Sequence, residues 1–131
     1  MIKDVKFPEV KDVIVTVVLE EHPEYKTMDW NAYIINNKVV PIEMVLIVSK
    51  GYNNTKKTSI MRHKIENLPA KSYAKIELLQ DDVLALNNEF KVTFFEDNKM
   101  YDKAFLFKKN SIHKSNLRAL PVMQQQGVLP T

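Results

Sequence analysis

Apolar and polar residues alternate with a period of two along most of this chain, and helical spacing is almost absent. Such alternation marks half-buried β-strands. Val13, Val15, Val17 and Leu19 share one face of a first strand, with Ile14, Thr16 and Val18 opposite. An acidic, turn-like stretch at 22–26 follows. Trp30, Ala32 and Ile34 then line one face of a second strand. Asn36, Asn37 and Lys38 supply turn chemistry, and Pro41, which has no N–H to give a ladder, marks the entry to a third strand over 42–49. That third strand is apolar on both faces. A loop at 51–55 leads to strand four over 57–66, with Met61, His63 and Ile65 on one side and Ile60, Arg62, Lys64 and Glu66 on the other. Strand five covers 72–79, with Ala74, Ile76 and Leu78 inward and Lys75 and Glu77 outward. One helical turn fits 81–87, with Asp81 as its cap. Strand six sets Phe90, Val92 and Phe94 against Lys91, Thr93 and Phe95. A tight hairpin at 96–99 follows, then strand seven with Tyr101, Phe105 and Phe107 on one face.

This spacing predicts an all-β fold: an immunoglobulin-like antiparallel β-sandwich of about seven strands with one short helical turn. A small barrel is the alternative. The crossover at 80–88 suits the link between the fifth and sixth strands, and Trp30 suits a core position between the sheets. Residues 1–116 read as the sandwich domain and 117–131 as an apolar C-terminal arm. Two prolines and a glycine in the arm argue against a helix or a central strand. Yet Leu117, Leu120, Val122, Met123, Val128 and Leu129 are too apolar for a solvated tail. The arm is expected to pack over an outer sheet face of its own domain or of a neighbour, with the third strand as its receiver. Exchange of arms between two copies would make a homodimer.

Composition narrows the chemistry. The chain has 131 residues, the size of one domain, and 45% hydrophobic residues are enough for a core. With no cysteine it has no disulfide, no thiolate metal site and no thiol nucleophile. Two glycines cannot make a glycine-rich phosphate loop. The first residues lack the apolar run of a signal peptide, and no apolar run approaches the ~20 residues of a membrane helix. A cytoplasmic protein without membrane contact is expected.

Net charge is only +3, but it is unevenly spread. Lys50, Lys56, Lys57, Arg62 and Lys64 fall in one window without acids, and Lys103, Lys108, Lys109, Lys114 and Arg118 in another. Glu20, Glu21, Glu24 and Asp29 make an acidic counterpart. Brought together, the basic windows would hold phosphate or an acidic partner; apart, they are solvated strand edges. Candidate anion or nucleic-acid contacts are Lys50, Lys56, Lys57, Arg62, His63, Lys108 and Lys109. Backbone amides near Gly51, with Lys57 and Arg62, could cradle an anion. Phe105 and Phe107 between lysines also fit base stacking, though a core would want them equally. His22, His63 and His113 have no metal-ligand spacing, and His63 fits a satisfied boundary position. No nucleophile motif or catalytic carboxylate pair is present. No catalytic residue, metal or cofactor is expected.

Several short stretches, residues 1–5 and 7–11, Ser49 to Tyr52, Lys56 to Ser59, Arg62-His63, Ser72-Tyr73, Tyr101 to Lys103 and Phe105 to Phe107, resemble a small uncharacterised bacterial family. Some of its members carry the label phenylalanine–tRNA ligase alpha subunit. Such a ligase needs a large antiparallel catalytic domain that 131 residues do not supply, so the label does not transfer. The resemblance implies no catalytic residues. The expected function is a non-enzymatic interaction module that binds a protein partner or itself. RNA binding through windows 50–64 and 103–118 is the alternative, and a small anion site at the 49–63 hairpin is the third reading.

Overall fold

A computed structural model describes residues 8–131. The residues at 1–5 and Phe7 that contribute to the family resemblance lie outside the described residues. Among the described residues, nine strands form two antiparallel sheets. The first seven are β1 (Val13–Glu21), β2 (Met28–Asn36), β3 (Ile42–Tyr52), β4 (Met61–Leu68), β5 (Ser72–Leu79), β6 (Asn87–Glu96) and β7 (Lys99–Phe107). Two short strands follow in the C-terminal segment, β8 (Leu117–Ala119) and β9 (Gln126–Val128). One helical turn, α1 (Asp81–Leu84), joins β5 to β6. The five-stranded sheet runs β5-β2-β1-β9-β8 and the four-stranded sheet β4-β3-β6-β7. The chain changes sheet after β2, β4, β5 and β7, and the first three changes are the Greek-key crossings of an immunoglobulin-like sandwich.

The alternation explains why two layers form. Val13, Val15 and Val17 of β1, Ala32 and Ile34 of β2, Val45 and Ile47 of β3, and Phe90, Val92 and Phe94 of β6 turn inward and are almost fully buried. Tyr101 stacks on Phe94, and Phe107 meets Phe90 edge-on, as quadrupoles prefer. Trp30 packs on this core from one end. Phe105 and Phe107 are core residues, 3% and 0% exposed, so neither is free to stack a base. The hairpin at 96–99 turns through Asp97 and Asn98, both at positive φ, which suits a two-residue primed turn.

Three features depart from the sequence pattern. Strand four starts at Met61 rather than 57, because 53–60 form a loop closed by a single bridge between Tyr52 and Lys57. In β5 the pairing with β2 slips: Ala32 faces Glu77 but Tyr33 faces Lys75, leaving Ile76 as an extra residue. A bulge re-aims the side chains beyond it. Glu77 therefore turns inward and Leu78 outward, where it is 46% exposed, the reverse of simple alternation.

The third departure is the arm. It is not received by β3. It returns to β1, where β9 lies between β1 and β8 as an interior strand, with Val17 opposite Val128. Thr16 donates its hydroxyl to the Val128 carbonyl at 2.9 Å. Gly127 permits this approach, since a Cβ there would lie 2.3 Å from Thr16 Oγ1. The segment before β9 then folds over the outer face of the five-stranded sheet. Met123, 5% exposed, packs with Val18 and Ile35, flanked by Leu120 and Val122. Pro, Gly and polar residues hide a strand this short from propensity. Its pairing comes from tertiary packing on a doubly apolar β1.

A polar clamp fixes the same segment. Glu20 accepts hydrogen bonds from Asn31 at 2.7 Å, from the Tyr33 hydroxyl, and from Gln125 at 3.0 Å. Burial alone would raise the Glu20 carboxyl. The bonds from Tyr33, Gln125 and Asn31, with Lys75 nearby, outweigh burial and hold it below the ordinary glutamate value. Burial, and then the bond to Glu20, push the Tyr33 phenol well above its usual range.

Candidate functional site

The β3–β4 end of the molecule gathers the polar inward residues. Register decides which side chains meet there. Ile47 faces His63 and Val48 faces Arg62, so His63 turns into the sandwich while Arg62 lies on the outer face. Two neighbours in sequence thus serve opposite sides of one sheet. His63 Nε2 lies 2.7 Å from Glu77 Oε1, and Ser49 donates its hydroxyl to the same oxygen at 2.7 Å. The contact ties β4 of one sheet to β5 of the other. The bulge at Ile76 makes it possible. Both His63 and Ser49 point at Glu77, and no contact joins His63 to Ser49. The serine hydroxyl bonds to the carboxylate and not to the imidazole, so the trio lacks the serine–imidazole bond of a Ser-His-Asp triad.

Beside the tie, a cleft of about 520 Å³ opens between the sheets, with Ser49, Gly51, Met61, Glu77, Leu79 and Asn88 among its walls. A second hollow of about 340 Å³ lies against it, bordered by Lys50, Tyr52, Lys57, Ile60 and Glu89. The amides near Gly51 are already bonded. Gly51 N–H donates to Thr58 Oγ1 at 2.7 Å, Thr58 N–H to the Gly51 carbonyl at 2.8 Å, and Asn53 N–H to the Lys56 carbonyl at 3.0 Å. An anion would find side-chain cations there but not the backbone cradle expected from the glycine.

Residues of both basic windows lie at this end. Lys57 pairs with Tyr52, Tyr52 faces Asn87, and the ladder between β6 and β7 ends with Asn88 facing Phe107, one residue before Lys108. Lys109 N–H donates to Asn87 Oδ1 at 2.9 Å. Adjacent strands lie about 4.8 Å apart, so two strand spacings separate Tyr52 from Lys108, and Lys57 lies one spacing further. Lys50 sits 5.7 Å from the centre of the Tyr52 ring, in cation–π range. Lys50, Lys56, Lys57, Lys108 and Lys109 are all exposed. Arg62 lies further along the outer face, and His63 is withdrawn from the group altogether.

The outer face of the four-stranded sheet was not legible as a surface in the sequence. Its middle is apolar: Leu46 is 47% exposed and Val48 half-buried, with Met44 at 50% beside them. Arg62, Lys64, Lys91 and Lys50 flank it, against Glu89 and Asp102. The apolar-on-both-faces pattern of 42–48 was the signal; what it left open was which face stays bare. No described segment covers it, whereas the arm covers the equivalent face of the other sheet. Among the described residues no group of histidine and carboxylate side chains is placed to hold a metal, and no helix is long and apolar enough to cross a membrane.

No family model, curated protein or solved structure matches the chain. The resemblance built on short stretches thus gains nothing from these comparisons, and the fold rests on strand order and packing alone.

Proposed function

We propose that this chain is a non-enzymatic protein-interaction module, working in the cytoplasm, whose contact surface is the outer face of the four-stranded sheet. One observation carries the reading. The chain spends its arm on covering one apolar sheet face and leaves the other open, with Leu46 and Met44 about half exposed. Contiguous apolar surface rimmed by charge is the mark of a docking site. The cations around Leu46 and Val48 select a partner that is apolar at the centre of its contact and acidic at the rim. The test is a pull-down of the tagged full chain from its own cell extract, with and without nuclease. The expected result is a nuclease-resistant protein retained by the wild type and lost by Leu46→Lys. Equal retention by the variant would remove this face from the interaction.

A second reading, RNA binding, is favoured by Lys57, Lys108 and Lys109 lying at the same end as Tyr52. Only one aromatic ring is available there for stacking, and such binding would rest mainly on phosphate contacts. It predicts affinity for a single-stranded RNA oligomer that falls steeply with salt. Salt-independent binding, or none, would count against it.

A further inference from the structure

The end of the sandwich that carries the basic loops also carries the acidic ones. The β1–β2 turn, α1 and the β3–β4 loop all lie there: Trp30 faces Leu79 at the end of β5, and the cleft brings Leu79 and Asp82 to Gly51 and Thr58. Charge divides by layer. Glu21, Glu24 and Asp29, with the single cation Lys26 among them, belong to the β1–β2 hairpin of the five-stranded sheet, and Asp81 and Asp82 to α1. Lys56, Lys57, Lys108 and Lys109 belong to the segments that follow β3 and β7 of the four-stranded sheet, with the single acid Glu89 on β6 beside them. Stacked sheets lie about 10 Å apart, which leaves the two groups facing out side by side rather than onto each other. Among the described residues the ion pairs are Lys38–Glu96 and His63–Glu77, and none joins these two groups.

Both loops are tied by hydrogen bonds of their own. His22 Nδ1 accepts the N–H groups of Glu24 and Tyr25 at 3.1 and 3.2 Å, and His22 N–H closes the turn on the Thr27 carbonyl. Asn53 Oδ1 accepts from the N–H groups of Thr55 and Lys56 at 2.8 and 2.7 Å. Loops already ordered give up little entropy on contact. Exposed apolar side chains accompany each charge group: Tyr25 at 75% and Met28 at 58% on the acidic turn, Ile60 at 51% and Met61 at 47% on the basic side.

We infer that two copies of this chain pair end to end about a two-fold axis. The acidic β1–β2 turn of each copy lies on the basic β3–β4 loop of the other. A two-fold contact must be self-complementary, and an end that carries both signs side by side meets that condition. The bare sheet face does not, because cations there would meet cations. The contact uses residues separate from those of the docking face, so either reading can fail alone.

Sedimentation equilibrium of the full chain tests the pairing. The wild type is expected to be dimeric at low salt and to dissociate at about 0.5 M salt, where the screening length shrinks to a few Å. Glu21→Lys/Glu24→Lys and Lys56→Glu/Lys57→Glu, each at exposed positions, should raise the dissociation constant at least about tenfold, since every reversed contact occurs twice. Mixed in equal amounts, the two variants should form a dimer again, because each then offers the charge the other lacks. That recovery also shows that both variants fold. Leu46→Lys should leave the dimer intact. A wild type that is monomeric at low salt, variants that still dimerise alone, or a mixture that stays monomeric would each overturn the inference.

Discussion

Met44 shows how a single residue bends a sheet. The pairing of β3 with β6 slips by one between Glu43 and Leu46, and Met44 takes φ +50° inside that bulge. A side chain with a Cβ meets the following carbonyl in this region, at roughly 1–2 kcal/mol. Asparagine tolerates it better, because its short amide bonds locally. Met44→Asn is therefore expected to stabilise the fold by about 0.5–1 kcal/mol, read as a higher urea midpoint with unchanged slope. Glu77 makes the complementary point. Its place in the core follows from the bulge at Ile76, and no alternation rule announces a bulge in a run such as Ala74 to Leu79. Strand existence was legible from period two; the inward turn of one carboxylate was not. Removing that carboxylate leaves His63 and Ser49 without their shared acceptor. Glu77→Ala should cost about 1–3 kcal/mol in denaturant unfolding, and His63→Ala less, since Glu77 would keep Ser49 and the open cleft. An equal loss from both would mean that the tie between sheets matters more than the stranded donors.

Among the elements, the C-terminal segment is the one whose structure depends most on the rest of the molecule. β8 and β9 have three residues each, too few to hold together alone. Their sequence carries prolines and a glycine, which mask strand character, and its apolar residues lie against β1 and over Val18 and Ile35. Val122 adds strain: a β-branched residue at φ +65°, with Met123 N–H turned back onto the Pro121 carbonyl at 2.6 Å. That bend delivers Met123 into its place over Val18 and Ile35. Gly127→Ala should loosen the segment, because the new methyl would press on Thr16 Oγ1 and on Leu120. The expected cost is about 1–3 kcal/mol, with faster amide exchange at 126–128 and little change at β3 or β6. Uniformly faster exchange would instead make the segment part of one cooperative unit. Acid should act on the same element through Glu20. Its folded-state carboxyl lies below the ordinary glutamate value, so the carboxylate favours the folded form. The gain is complete above about pH 4.3 and fades as pH falls through that value toward the folded one. Protection factors at 126–128, exchange measured relative to the intrinsic rate at each pH, should therefore fall below about pH 4, and Glu20→Gln should flatten that response.

At the scale of the whole molecule, the sandwich is asymmetric in what it does with its two outer faces. Both β1 and β3 are apolar on both sides, and in sequence they look alike. The difference lies in which of them the C-terminal segment reaches, and that is a matter of chain path after β7. Ile112 is buried in the core and so anchors the turn of the chain away from β7, back toward β1. Ile35 of β2 and Leu46 of β3 both face outward, with opposite surroundings: Ile35 is 0% exposed beneath Met123, and Leu46 is 47% exposed. The same substitution should separate them. Ile35→Lys would bury a charge without a partner and should cost more than about 3 kcal/mol or expel the C-terminal segment. Leu46→Lys should leave stability within about 0.5 kcal/mol of the wild type in dilute protein, because its surroundings are already water and lysine-rich surface. A large loss from Leu46→Lys at low concentration would mean that residue 46 is buried in the working state. The dependence of that loss on protein concentration would then tell whether a second copy or the chain itself covers the face.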